Sequence, residues 1–154
     1  DVNPDYTFGF TNNFSYKNLD VSIFINGVQG NDVVNMNKVF NGNIGTSKNI
    51  SEKMLEGTWV DGKDNSKATE PKAIRQFWRT LLFSRRFIED GSFVRVKNIT
   101  IGYNVPGKLI KGISSMRLSV GVNNLYTFTN YSGFDPEINS YGDNPAVFGV
   151  DLGG

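Results

Sequence analysis

Four stretches of this 154-residue chain alternate apolar and polar residues with a period of two, and each is about ten residues long. Asp5–Tyr16, Leu19–Gly27, Phe93–Asn104 and Met116–Tyr126 all read as long β-strands. Period-two alternation gives a strand one apolar and one polar face. Strands of about 9–11 residues also match the length that crosses a bilayer in a β-barrel. The same pattern therefore suits a half-buried soluble sheet and a piece of membrane barrel, and alternation alone leaves the two readings equal.

The faces can be assigned. Phe8, Phe10, Phe14 and Tyr16 oppose Thr7, Gly9, Thr11, Asn13 and Ser15, with Asn12 as a polar slip. Lys17-Asn18 is a two-residue link, so the first two strands form a hairpin. Leu19, Val21, Ile23 and Ile25 share a face of the second strand, with Phe24 on the other. In the third strand Val94 and Val96 have one parity and Ile99, Ile101 and Tyr103 the other. A bulge or twist near Lys97-Asn98 would reconcile them, the alternative being a strand whose upper part stands outside the apolar zone. Met116, Leu118, Val120, Val122 and Tyr126 face away from Arg117, Ser119, Gly121 and Asn123. Gly102 and Gly121, inside strands, imply bends or a close approach.

The connections alternate in length: 17–18 is short, about 28–90 is long, 105–115 is moderate, and 127–154 is long and aperiodic. Barrels of the bacterial outer membrane alternate short periplasmic turns with longer outer loops. That rhythm would put Tyr16 and Tyr103 at one rim, the periplasmic one. Within the long excursion, Asp32–Phe40 and Ser47–Glu56 carry weak helical patterns, and Glu89-Asp90-Gly91-Ser92 reads as a polar turn. The whole, 1–154, reads as a single partial domain with an incomplete C-terminal loop at 127–154, and its ends, Asp1 and Gly154, read as those of a fragment or a processed piece.

Composition removes several chemistries. The chain has no Cys and no His, which excludes disulfides, thiol nucleophiles, Cys/His zinc sites and imidazole bases within it. Net charge is +1, so no global field selects a nucleic acid or membrane surface. No apolar run approaches the roughly 20 residues of a spanning helix. The basic stretch Lys72–Arg86 (Arg75, Arg79 and Arg85 among it) reads as an amphipathic loop or a strand entry with its basic residues solvated, not a nucleic-acid site. Asp135, Glu137, Asp143 and Asp151 share a Gly/Asn-rich tail; neither they nor Asp61–Ser66 match an EF-hand, and they read as turn formers. No spacing holds two of the tail acids at a glycosidase separation, and no catalytic residue, cofactor or metal is expected. Trp59, Trp78, Tyr131, Phe134 and Tyr141 lie in the long connections and are the candidate contacts to a ligand or protein partner. Phe8, Phe10, Phe14, Ile23, Ile101 and Val120 are the candidate lipid-facing residues.

Four segments, in order, carry a family resemblance. They are Asn3–Gly27 followed by Gln29-Gly30-Asn31-Asp32; Ser84–Pro106, with its Asp90-Gly91-Ser92-Phe93-Val94-Arg95-Val96-Lys97-Asn98; Ser115–Thr129; and Tyr131-Ser-Gly-Phe-Asp-Pro-Glu-Ile-Asn139. The chain resembles the C-terminal part of SusC/RagA-type TonB-linked outer-membrane transporters of Bacteroidetes. The resemblance covers roughly half of the chain, and positions 33–83 look like a variable loop. It implies an all-β, mainly antiparallel fold: C-terminal strands of a roughly 22-stranded plugged barrel with a long, partly helical insertion. It also implies import of oligosaccharides or peptides, energy through TonB, a SusD-like surface lipoprotein as lid, and lipid around the barrel. By itself such a piece would be an open antiparallel sheet, for which dimerisation is one way to cover an apolar face. A soluble β-rich glycan-binding module is the alternative reading.

Overall fold

A computed structural model describes residues 1–41, 52–70, 72, 84–107, 114–137 and 149–152. Four long strands dominate: β1 (Tyr6–Tyr16), β2 (Leu19–Gln29), β5 (Phe93–Val105) and β6 (Met116–Thr129). They form one antiparallel sheet in the order β1-β2-β5-β6. Shorter elements lie between and after them: β3 (Asp32–Asn35), α1 (Met36–Asn41), α2 (Glu52–Gly57), a 3-10 turn at Arg85–Phe87, β4 (Ile88–Asp90) and β7 (Val150–Asp151). β4, β3 and β7 make a second sheet, in which β3 and β7 run parallel. The chain divides into two compact units, one of residues 1–32 and 90–131, the other of 33–89 and 132–154.

In the first unit the pairing follows the hydrophobic alternation. Tyr16 pairs with Leu19 across the Lys17-Asn18 link, and Lys17 takes the left-handed conformation the tight reversal needs (φ 53°). Asn18 ties this end to β5: its carbonyl accepts from the Asn104 amide at 2.8 Å, and its side chain donates to the Asn104 carbonyl at 2.6 Å. The parity change in β5 is a bulge. The register steps from Phe24↔Asn98 to Ile25↔Val96, leaving Lys97 without a pairing position on β2. On β6 it steps from Asn98↔Asn123 to Val96↔Tyr126. There Asn124 sits at φ 51°, a conformation asparagine tolerates better than most residues. The bulge keeps Val94 and Val96 on the same face as Ile99 and Ile101.

Gly102 is a close approach. Arg117 of β6 reaches over it to Asp20 of β2, Nη2 to Oδ2 at 2.6 Å, and also donates to Asn104 at 3.2 Å. A Cβ on Gly102 would lie 2.3 Å from Arg117 Nη2 and 2.7 Å from Asp20 Oδ2. The ion pair thus ties two strands across the backbone of the third. Gly102→Val is expected to force it apart and cost about 1–3 kcal/mol, read as a lower unfolding temperature. An unchanged melting profile would count against a bridge that needs a bare backbone.

The second unit differs from the sequence expectation at its start. Periodicity predicts a helix over Asp32–Phe40, but the first half of that segment is strand β3. Val34 and Asn35 pair with Val150 and Asp151, and the buried Val33, Asn35 and Asp151 are packed there. Pairing with a distant segment overrides weak local periodicity. The helix begins only at Met36, with Asn35 Oδ1 accepting from the Lys38 amide at 3.2 Å in the manner of an N-cap. Of the second helical expectation, 52–57 is helix α2 and 47–51 lies outside the described residues. Glu89 and Asp90 belong to strand β4, so the expected polar turn is reduced to the Gly91-Ser92 link.

Candidate functional site

The register gives the long sheet two chemically distinct faces. Cross-strand rows such as Phe14–Val21–Ile101–Val120 and Phe10–Ile25–Val96–Tyr126 fall on one face. All six residues expected to face lipid, Phe8, Phe10, Phe14, Ile23, Ile101 and Val120, are on it. Phe10 is 55 % exposed, Phe14 56 % and Val120 72 %. So large an uncovered apolar surface is unfavourable in water. Its aromatic residues lie toward the ends: Tyr16 and Tyr103 near the Lys17-Asn18 turn, and Phe8, Phe10, Tyr126 and Phe128 near the long connections. The Tyr126 and Phe128 rings meet edge to face at 4.7 Å, and the Phe8 ring lies over Gly27. From Phe8 to Tyr16 there are eight residue steps. At about 3.3 Å each and a tilt near 40°, they span about 20 Å, close to the apolar band of a membrane barrel.

The opposite face is polar and mostly uncharged. Asn98 donates to Asn123 at 2.8 Å, Thr100 to Asn98 at 3.1 Å, and Arg95 to Thr127 at 2.8 Å. Arg95 is buried and lies against the Phe93 ring. Phe24, the exception in the second strand, covers Gly9 on this face. At the end of the long connections Ser92 joins two strands: its hydroxyl accepts from the Gly30 amide at 2.9 Å, and its carbonyl accepts from the Thr129 hydroxyl at 2.8 Å. A groove of about 520 Å³ opens there, lined by Gln29, Asp90, Ser92, Phe93, Thr127 and Asn130 among others.

The second unit is organised on one carboxylate that sequence reasoning did not single out. Glu89 accepts from Asn35 Nδ2 at 2.9 Å, Ser132 N at 3.0 Å and Ser132 Oγ at 2.9 Å, and pairs with Lys38 Nζ at 2.8 Å. Burial pushes the Glu89 carboxyl up, but these donors, Lys38 first among them, together hold it below the usual glutamate range. It therefore joins the segment entering α1, the strand before β5 and the segment following β6. Its one mark in the sequence is a position two residues before Gly91. Acids beside turns are common, because their oxygens accept from the turn's free amides, so that mark does not distinguish a network centre from a turn former.

The candidate contact residues fare differently. Trp59 is 48 % exposed and Phe134 88 %, whereas Tyr131 is buried and its ring is not offered to solvent. Trp78 and Tyr141 lie outside the described residues, as does Asp143. Among the described residues no three acidic side chains gather as a metal site would require. Asp135 instead accepts from the Glu137 amide at 2.8 Å, a local turn, and Asp151 is fully buried. Of the basic stretch, Lys72 forms an ion pair with Asp61 and Arg86 with Glu70. No described helix is long and apolar enough to cross a membrane, which leaves strands unaffected.

No protein-family model matches the chain. Among curated proteins it is similar to TonB-dependent receptor P3 of Formosa agariphila, 33% identical over 99% of this chain and 15% of that protein. It is also similar to TonB-dependent receptor SusC of Bacteroides thetaiotaomicron, 28% identical over 88% of this chain and 13% of that protein. Among solved structures it is similar to the RagAB peptide importer in its closed-closed state. The TM-score there is 0.74 at 29% identity, covering 97% of this chain and 16% of that one. The open-open state of the same importer gives a TM-score of 0.73 at 28% identity, covering 97% of this chain and 15% of that one. The chain therefore spans 15% of the length of the first of these relatives.

Proposed function

Because the chain belongs to the SusC/RagA-type family of TonB-dependent outer-membrane receptors, we propose that it supplies four wall strands and outward loops of an importer of oligosaccharides or peptides. The observation that carries this reading is the long sheet itself. Its strands have spanning length, and their register gathers the apolar side chains on one uncovered face and polar ones on the other. Lipid covers the first face, and the second turns to the barrel interior. The two edges, β1 and β6, continue into neighbouring strands of the closed barrel, because an open edge with an apolar face aggregates. The long excursion and the segment after β6 leave from the outer rim, and the Lys17-Asn18 turn lies at the periplasmic rim. Trp59 and Phe134 are the exposed aromatic contacts of the outer loops, and a SusD-like lipoprotein is the lid. Energy enters through TonB at other parts of the longer protein.

Fractionation of cells expressing the full-length gene product tests this. Recovery in the outer membrane, with a band that shifts on heating in detergent electrophoresis, is the expected result. Recovery in the soluble fraction would overturn it in favour of a soluble glycan-binding module.

A further inference from the structure

The loop from 57 to 70 is short, exposed and braced from within. The Gly57 carbonyl accepts from the amides of Thr69 at 3.1 Å and Glu70 at 2.9 Å, and the Trp59 amide donates to the Glu70 carbonyl at 3.0 Å. Asn65 fills the middle of the loop. Its Oδ1 accepts from the Val60 amide at 2.9 Å, and its Nδ2 donates to the carbonyls of Val60 and Lys63, both at 2.9 Å. Asp64 accepts from the Ser66 amide at 3.0 Å. Asp61 is ion-paired with Lys72, and Glu70 with Arg86. The Lys72 hydrogen bond and charge, with a lesser contribution from Trp59, hold the Asp61 carboxyl below the usual aspartate range.

The polar side chains at 61, 64, 65 and 70 are thus turned to partners within the loop and its base. What remains outward at its start is an adjacent apolar pair, Trp59 at 48 % exposure and Val60 at 40 %. A sugar ring needs hydrogen-bonding groups beside the aromatic face, and the carboxylate two residues from Trp59, Asp61, is already engaged by Lys72 and by Trp59 itself. A tryptophan next to an aliphatic residue, beside the Asp61–Lys72 ion pair and held in place beforehand, has the anatomy of an anchor for a protein interface. Its preformed backbone lowers the ordering cost of association.

We propose that this loop is a protein-docking knob, with Trp59 and Val60 entering an apolar socket on the partner subunit at the cell surface. This rests on the importer reading above, and deepens it by naming the residues that meet the partner.

The experiment uses the full-length receptor purified in detergent with its surface lipoprotein. Trp59→Ala is expected to weaken association about tenfold or more. Asn65→Ala keeps the anchor but removes its brace, and is expected to weaken association less. A benzophenone attached at Val60→Cys is expected to cross-link to apolar residues of the lipoprotein. If Trp59→Ala fails to reach the outer membrane, Trp59→Phe and the cross-link carry the test, with an intermediate loss of association expected for Trp59→Phe. If the wild-type receptor binds no lipoprotein, the importer-complex reading fails, and this inference with it. If the wild type binds but both Trp59 variants bind equally well, or the benzophenone reacts only within the receptor, the knob alone is overturned. Loss of cargo binding with the complex intact would overturn it in favour of a cargo contact.

Discussion

Val122→Arg in the full-length receptor should destabilise the folded barrel by about 2–4 kcal/mol, the cost of an arginine near the bilayer midplane on the lipid face. Val122 lies in the row Asn12–Ile23–Ile99–Val122, midway between the rows that hold Phe8 and Tyr16. The side chain is 45 % exposed, so the protein itself gives arginine room. In water that substitution would be close to neutral, as surface changes usually are. The large effect therefore comes only if lipid is the solvent. Val120→Arg, one row nearer the rim, should be somewhat milder because the penalty falls toward the interface. Ser119→Arg, on the polar face, should be mildest. The measurements are outer-membrane abundance and the midpoint of urea unfolding in lipid vesicles. Equal, small effects at all three positions would reject the assigned faces and, with them, the wall.

Glu89→Ala should open the second unit. It removes the acceptor for Asn35, Lys38 and Ser132 at once. Its side chain is only 12% exposed and Asn35 is buried, so the Asn35 amide would be left with poor access to water, while Lys38 and Ser132 reach solvent. Deleting one member of a buried charged network costs about 3–5 kcal/mol; exposure of Lys38, at 46%, and of Ser132 reduces this to about 1–2 kcal/mol. Hydrogen exchange is the direct readout. The Ser132 amide, which donates to Glu89, should lose protection, while amides in the centre of β5 should keep theirs. Glu89→Gln should lie between, since an amide oxygen still accepts but the charge beside Lys38 is gone. The pH dependence has a definite sign. A carboxyl held below its ordinary value stabilises fully above the ordinary glutamate range, and the contribution is lost as pH falls through the depressed value. Protection of Ser132 should therefore hold at neutral pH and fade only in acid. Loss of protection between about pH 6 and pH 8, well above any carboxyl held low, would assign the linkage to another group.

Sequence and structure agree most closely where the fold repeats a local rule. Period-two alternation assigns faces to all four long strands, and the parity change between Val96 and Ile99 locates the bulge at Lys97. Both follow from backbone geometry, because successive side chains on a strand point to opposite sides whatever lies around them. The segments that depart from expectation depend on partners far along the chain. Asp32–Asn35 is a strand because Val150–Asp151 lies beside it. Tyr131, in an aperiodic connection where an exposed contact residue is expected, is buried.

By itself, the sequence determined the long strands and their faces and marked by a parity change the place where the bulge sits, since each is encoded within about a dozen neighbouring residues. Only the tertiary structure decided that Arg117 reaches Asp20 over Gly102, that Glu89 gathers Asn35, Lys38 and Ser132, and that Asn65 braces the loop bearing Trp59. Such contacts depend on distances and donor directions set by how the backbone turns. A string of residue types contains the donors and acceptors without saying which of them meet.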